Sequence, residues 1–429
     1  MRALGPAWGR PAHWNPATTG CRSLRTGRDG WFDVRARRRT LSIRRIQGCG
    51  EKVARAMANA FPGLSCTMEH RMPTGTDQPG RILLIKPSAL GDVCKAAPVL
   101  ASLARAWPDA RIDWLVQEEF VDAVSGHPDL GKAIVFPRRR FARWMRSPSL
   151  AAELFRWLGA LRRSDYDLVL DCQGLSRSGF MTRITGARRR IGDRAARELA
   201  WLGYTDRVDA SDSVHEVDRM LQLVRGCGID AEPDMRLYVP EASRRDWMEG
   251  AGRGFADAST IALATTSRWR SKAWPRGRWV ELAQHLLDQG QEHLLLLGAP
   301  SERDEVESLR NAIGDSSQRV HNLAGRTSVG EMMAAIEASQ LVVSNDSAAL
   351  HMGVGLAHRG VRCVGLFGPT EPSKVGPYGM DHVVVRAPLP EGGTVHYRDR
   401  SLGDSIMRGI PVSAVVDTIE SVRSGDAEA

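Results

Sequence analysis

Arg81-Ile-Leu-Leu-Ile-Lys86-Pro-Ser88-Ala-Leu-Gly91-Asp92-Val93 and Leu341-Val-Val-Ser-Asn345-Asp346-Ser347-Ala-Ala-Leu-His351 are two stretches of the same design. Each is a short apolar run, then a Ser- or Gly-containing turn, then the start of an amphipathic segment with an acid beside it. An apolar run of this length reads as a buried strand, and the segment behind it as a helix. Such junctions aim backbone N–H groups and a carboxylate at the carboxyl end of a strand, where open α/β sheets bind ligands. Two of them, about 250 residues apart, imply two domains facing a cleft with one acid on each wall.

The pattern between and around them supports that reading. Strands are expected at 82–85, 112–116, 133–136 and 168–170, with helices at 93–107, 149–162 and 214–227. A polar stretch at 230–254 interrupts the alternation. It then restarts with strands at 261–264, 293–297, 341–343 and 361–367 and helices at 278–289, 301–312 and 329–338. Alternation of this kind predicts an α/β class with two doubly wound parallel sheets. The domains are expected at 81–245 and 246–410, with a last helix and tail, 411–429, packing back across the junction.

Length and charge narrow the function. A chain of 429 residues has room for more than one core. Its net charge of +9 is carried by residues 1–80, which hold 14 Lys and Arg against 5 Asp and Glu. The remaining body is neutral, so the high isoelectric point is no argument for nucleic-acid binding. The basic leader, with Arg37-Arg38-Arg39 and Arg44-Arg45, has no sustained period. It reads as disordered, as similar in composition to a transit peptide, or as sequence ahead of a true start near Met68 or Met72. No run approaches the ~20 apolar residues of a membrane span, and no signal-peptide core is present. Seven cysteines, odd in number and without CxxC spacing, argue against a disulfide framework or a zinc site. Neither junction carries G-x-G-x-x-G, and a Walker A motif is absent, which counts against dehydrogenases and P-loop enzymes.

Seven motifs then occur in order: Lys86-Pro-Ser88-Ala-Leu-Gly91-Asp92-Val, Asp171-Cys-Gln173-Gly174-Leu, Ala196-Arg197-Glu198, Thr265-Thr266 followed by Ser271-Lys272-Ala-Trp274-Pro275, Gly298-Ala-Pro-Ser-Glu302, Asn345-Asp346-Ser347-Ala-Ala-Leu-His351, and Gly368-Pro369-Thr370. Together, over roughly residues 81–425, they resemble glycosyltransferase family 9, the ADP-heptose:lipopolysaccharide heptosyltransferases. The resemblance implies the GT-B layout of two Rossmann-like domains. It also implies an inverting enzyme with ADP-L-glycero-D-manno-heptose as donor and the lipid A inner core as acceptor, placed in the cytoplasm at the inner face of the inner membrane. The first half is closer to enzymes that add the first heptose to 3-deoxy-D-manno-oct-2-ulosonic acid (Kdo). Asn345-Asp346-Ser347-Ala-Ala is nearer those that add the second, and the acceptor is open between Kdo-lipid A and heptosyl-Kdo. Another nucleotide sugar or glycan acceptor, or a binding protein without turnover, are the competing readings.

Each residue has a plain reading beside the functional one. Asp92 is a helix cap, or by the resemblance the general base that deprotonates the acceptor. A helix N-terminus weakens a carboxylate base, so desolvation must act the other way. Lys272 is a solvated loop cation, or with Thr265 and Thr266 it holds the donor diphosphate and steadies the leaving group. Asp346 and Ser347 cap a helix or serve the donor. His351 packs or joins them, and Glu302 is a first-turn acid or accepts from the ribose diol. On the acceptor side the resemblance and charge suggest Lys86, Ser88, Lys95, Gln173 and Arg197. The run Arg138, Arg139, Arg140 and Arg143, interleaved with Phe141 and Trp144, is a solvated face or a docking loop for an anionic lipid. No D-x-D motif stands where the diphosphate would sit, so no metal and no further cofactor are expected.

Overall fold

The computed structural model describes residues 78–425 apart from 256–257, 291–292, 315–317 and 390–402. The basic leader therefore falls outside the described residues except for its last three. Strands β1 (Arg81–Ile85), β2 (Arg111–Gln117), β3 (Lys132–Phe136), β4 (Leu168–Asp171), β5 (Arg189–Asp193) and β6 (Asp206–Val208) form one parallel sheet in the order β3-β2-β1-β4-β5-β6. Strands β7 (Thr260–Ala264), β8 (His293–Leu297), β9 (Val320–Asn322), β10 (Leu341–Asn345), β11 (Arg362–Phe367) and β12 (Val384–Arg386) form a second, ordered β12-β11-β10-β7-β8-β9. Counted within each half, both orders are 3-2-1-4-5-6, the doubly wound Rossmann arrangement.

Period-2 geometry divides the first strand between two cores. Ile82 and Leu84 join the large buried cluster on one face of the sheet, and Leu83 and Ile85 join the cluster of Leu115, Phe136, Leu161 and Met181 on the other. Burial on both faces explains the continuous apolar run in the sequence. The strand order also explains where the motifs lie. The crossover direction reverses between β1 and β4 and between β7 and β10, and there the carboxyl ends splay into a crevice. The Lys86–Asp92 turn leaves β1, Asp171-Cys-Gln173 leaves β4, Thr265-Thr266 leaves β7 and Asn345-Asp346 leaves β10. The two junctions with similar sequences thus hold different places, the first strand of one half and the fourth of the other.

Four expectations are corrected. The helix expected over 93–107 is two, Leu90–Cys94 and Ala97–Ala106, because Pro98 has no N–H to continue the ladder. The polar stretch 230–254 contains a helix, Glu241–Glu249, whose buried side is only Ser243 and Trp247, too little for a periodic signal. It packs on Val329–Glu337 of the second half, so a boundary at 245 cuts it and the second half begins near Glu241. The last helix, Val412–Ser424, lays Val412, Val415, Ile419 and Val422 against β11, β12 and the helix Arg276–Asp288. Its main contacts stay in the second half instead of returning across the junction. The short edge-side strands β5, β6, β9 and β12 were not legible, since β5, for example, buries only Ile191 and Gly192. Among the described residues no helix is long and apolar enough to cross a membrane.

The halves meet through the two site junctions. The helix Ala348–Leu356 lies on Leu90–Cys94 so closely that a Cβ on Gly91 would stand 2.9 Å from His351 Cδ2 and 3.5 Å from Ala348 Cα. Gly91 is therefore the place where only a hydrogen fits. Gly91→Ala is expected to cost about 1–3 kcal/mol of this packing. Small-angle scattering should report a larger radius of gyration with little loss of secondary structure by circular dichroism. Unchanged scattering and melting would show that the close approach is not needed.

Candidate active site

On the first wall, Ala89 is the N-cap of Leu90–Cys94 and Asp92 is its third residue, not its opening one. The Ala89 N–H donates to Asp92 Oδ2 at 3.3 Å, so the carboxylate does cap the turn. Its other oxygen lies 3.1 Å from Lys95 Nζ. Lys95 also pairs with Glu216, and Lys86 Nζ donates to Glu216 Oε1 at 3.3 Å and to the Cys172 carbonyl at 3.1 Å. Both lysines are only 3% exposed. Burial by itself would push the Asp92 carboxyl up, but Lys95 and Lys86 outweigh it and hold Asp92 well below the usual carboxylate range. The same balance keeps Lys95 charged, its own burial being overcome by Asp92 and Glu216.

This placement differs from the acceptor-side role expected for Lys86 and Lys95. Their ammoniums are taken up by carboxylates of the chain itself. Gln173 and Ser88 do come together, Gln173 Oε1 accepting from the Ser88 N–H at 3.2 Å. Behind them Asp171, fully buried, accepts from the N–H groups of Gln173 (2.9 Å) and Gly174 (3.1 Å) and from Tyr204 Oη (2.7 Å). Arg197 joins through its backbone N–H to the Gly174 carbonyl at 3.0 Å, its side chain remaining exposed.

On the second wall, Lys272 Nζ lies 2.6 Å from Asp346 Oδ2, which also accepts from Thr370 Oγ1 at 2.7 Å. Asn345, fully buried, accepts from the Trp274 N–H at 2.9 Å and donates to the Thr265 carbonyl at 3.0 Å, tying both phosphate-candidate loops to β10. Ser347 is the N-cap position of Ala348–Leu356, and its Oγ meets Ser344 Oγ at 2.9 Å. Glu302 caps its own turn, accepting from the Ala299 N–H at 2.7 Å. Burial pushes the Asp346 carboxyl up, yet Lys272 beside it leaves it below its ordinary value.

His351 joins the two walls. It projects from Ala348–Leu356 against Gly91 and is 4% exposed, with Nδ1 buried and unpaired. Burial, helped by Lys95, draws its titration down to about 4, against the pull of Asp346, Asp92 and Glu216. It is a neutral imidazole between two acid–base pairs. Glu216 and Thr370 were missed as site residues. Glu216 stands apart from every motif, and only the fold brings it to Lys86, 130 residues away.

The arginine run lies on a short helix, Arg138–Phe141, and a turn, Trp144–Arg146. Phe141 is a core residue packed on Phe136 and Trp157, which corrects its expected place on the docking surface. All four arginines are exposed; Arg139 pairs with Glu119 at 2.9 Å and Arg140 with Glu153 at 2.6 Å.

Two facing Rossmann-like halves with a charged site at both switch points have the layout of the GT-B class. Residues 154–403 match the model of glycosyltransferase family 9 (heptosyltransferase), and the chain belongs to that family. Lipopolysaccharide heptosyltransferase 1 of Pseudomonas aeruginosa is 29% identical over 315 residues, covering 72% of this chain and 84% of that protein. The Escherichia coli protein of the same name is 29% identical over 312 residues, or 72% of this chain and 94% of that one. The solved structure of E. coli heptosyltransferase WaaC with ADP-2-deoxy-2-fluoro heptose matches with a TM-score of 0.62 and 26% identity over 80% of this chain and 99% of that chain.

The buried His351 makes stability pH-dependent. The unfolded chain takes a proton near 6.5 and the folded chain only near 4, so between these values the unfolded state holds more protons. Stability is therefore lost as pH falls through this window, by up to about 3 kcal/mol from this group. Urea melts of wild type and His351→Gln from pH 7 to 4 are expected to show the difference between them changing by that amount, wild type losing more. A constant difference would mean that His351 is not buried neutral.

Proposed function

We propose that this protein transfers heptose from ADP-L-glycero-D-manno-heptose to Kdo of the lipopolysaccharide inner core, with inversion at the anomeric carbon. The observation that carries this reading is the meeting of the Asp92 cluster with the Lys272–Asp346–Thr370 cluster at Gly91 and His351. The relatives' name, lipopolysaccharide heptosyltransferase 1, supports heptose transfer to lipopolysaccharide, and the E. coli WaaC structure with ADP-2-deoxy-2-fluoro heptose supports an ADP-heptose donor. In this reading the acceptor hydroxyl oxygen bonds to the anomeric carbon as the bond to ADP breaks. The electron pair leaves on the β-phosphate oxygen, and the hydroxyl proton passes to Asp92.

Each group has a part suited to its chemistry. Asp92 is ionised throughout the physiological range and so is always ready to accept. Its low basicity is tolerable where the hydroxyl loses its proton only as the new bond forms. Lys272, the Thr265 and Thr266 hydroxyls and the helix start at Ser347 would hold the diphosphate, where negative charge grows. Asp346 keeps the ammonium aimed. Glu302 would need to turn from its cap to reach the ribose. Lysine and helix dipole together make a metal unnecessary in this scheme. Arg138 and Arg143, on the acceptor-side half, would meet anionic lipid at the cytoplasmic face of the inner membrane.

ADP release from ADP-heptose, with and without deacylated Kdo-bearing acceptor, tests the whole reading. Asp92→Asn is expected to lower turnover by about 10²- to 10⁴-fold with ADP affinity nearly unchanged, because the amide keeps the size but cannot take the proton. EDTA should leave most activity. Wild-type turnover in Asp92→Asn would reduce the carboxylate to a cap, and strict Mg²⁺ dependence would refute the cation-free leaving group.

Replacing Arg138, Arg139, Arg140 and Arg143 by Ala should raise KM for the anionic acceptor more than for ADP-heptose, with Arg138 and Arg143 carrying most of the change. Charge attraction at a surface fades over about 8 Å near physiological salt. Wild-type acceptor kinetics should therefore weaken with added salt and the variant's much less. Equal salt dependence would return the run to a solvated face.

A further inference from the structure

Glu216 has no part in the motifs above, yet it is the second anion beside the two buried lysines. Four other groups meet it there: Asp92, Lys86, Lys95 and, from the second half, the neutral His351. Without Glu216, two buried ammoniums would stand against one partly exposed carboxylate, a net charge of +1. Such a site would resist protonation of Asp92, since accepting the proton would leave both lysines without a counter-ion. Glu216 divides the lysines instead, taking Lys86 at 3.3 Å and sharing Lys95 with Asp92.

The placement of Glu216 is controlled from the second half. It is the first residue of the helix Glu216–Arg225, whose N-cap is His215. His215 Nδ1 accepts from the Val217 N–H at 3.1 Å, which leaves the Nε2 proton facing the Gly376 carbonyl at 3.3 Å. Two residues past Glu216, Asp218 Oδ1 accepts from Tyr378 Oη at 2.6 Å, and the His215 and Tyr378 rings pack at 4.9 Å. Gly376 and Tyr378 follow closely on Thr370, which bonds the Lys272 partner Asp346. One short loop of the second half thus touches both the donor-side pair and the helix end that bears Glu216.

We infer that Glu216 is a positioning residue for the transfer, supplying the counter-ion that lets Asp92 take the acceptor proton, and that the His215–Gly376 and Asp218–Tyr378 clasp sets it in place only when the halves are together. This rests on the assignment of Asp92 as base. As the proton reaches Asp92, its charge is lost and Glu216 remains as the anion for both lysines. The clasp would then make the base effective in the closed molecule and poor in an open one, which limits wasted chemistry before both substrates are seated.

Glu216→Gln is expected to lower kcat by about tenfold or more, with the donor KM and ADP affinity within about twofold of wild type. Adding Lys95→Met restores the charge balance, so Glu216→Gln/Lys95→Met should recover several-fold over Glu216→Gln alone. It also removes the uncompensated lysine if the single variant folds poorly. Tyr378→Phe should show the same split, lower kcat at unchanged ADP affinity, to a lesser degree. Near-normal kcat in folded Glu216→Gln, or a double variant no better than the single, would overturn the inference. Asp92→Asn separates the two levels: if it is inactive while Glu216→Gln is normal, only the Glu216 inference fails, and if it turns over normally, the assignment of the base fails first.

Discussion

Two buried ammoniums at the carboxyl edge of the first sheet impose the strictest demand in this molecule. Lys86 and Lys95 cannot stay charged out of water without anions of their own. Asp92 and Glu216 meet that demand from separate helices, and the Asp171 carboxylate supports the adjoining turn by accepting from the backbone N–H groups of Gln173 and Gly174. The turn after β1 is held in one shape as a result. Its glycine can then lie against His351 of the other half, and the cleft is built around that contact.

The two halves share a strand order and differ in how they use it. In the first, the switch point carries buried lysines balanced by acids, arranged around a group proposed to take a proton. In the second, it carries one ammonium, Lys272, in reach of Asp346, with hydroxyls and a helix start around it. In the proposed reaction the first arrangement would keep an anion ionised beside the acceptor hydroxyl, and the second would offer positive charge and donors to the departing diphosphate. Opposite charge developments at the two ends of one displacement would call for this asymmetry.

Most of the architecture was legible because its strands are buried on both faces and its motifs sit at sheet switch points. Leu83 and Ile85 are as apolar as Ile82 and Leu84 because each side of β1 is covered. Legibility failed where burial is thin. The helix Glu241–Glu249 hides two side chains, and β5 is rich in arginine because its flanks reach solvent. The split at Lys95 and Ala96 was signalled by Pro98, which the apolar periodicity of the surrounding residues concealed.

The sequence alone determined the class of fold and the two switch-point turns, since each is coded locally by an apolar strand, a turn residue and a helix start, while Asp92, Lys272 and Asp346 were singled out by the resemblance of their motifs. Tertiary structure decided which of these act together. It made Lys86 and Lys95, expected on the acceptor side, buried partners of Glu216, with Lys95 shared with Asp92, made Phe141 a core residue, tied Lys272 to Asp346, and brought Glu216 and Thr370 into the site. The reason is physical: hydrophobic periodicity is a property of neighbouring residues, whereas a buried charge is defined by whatever ion the folded chain delivers to it, here across 130 residues.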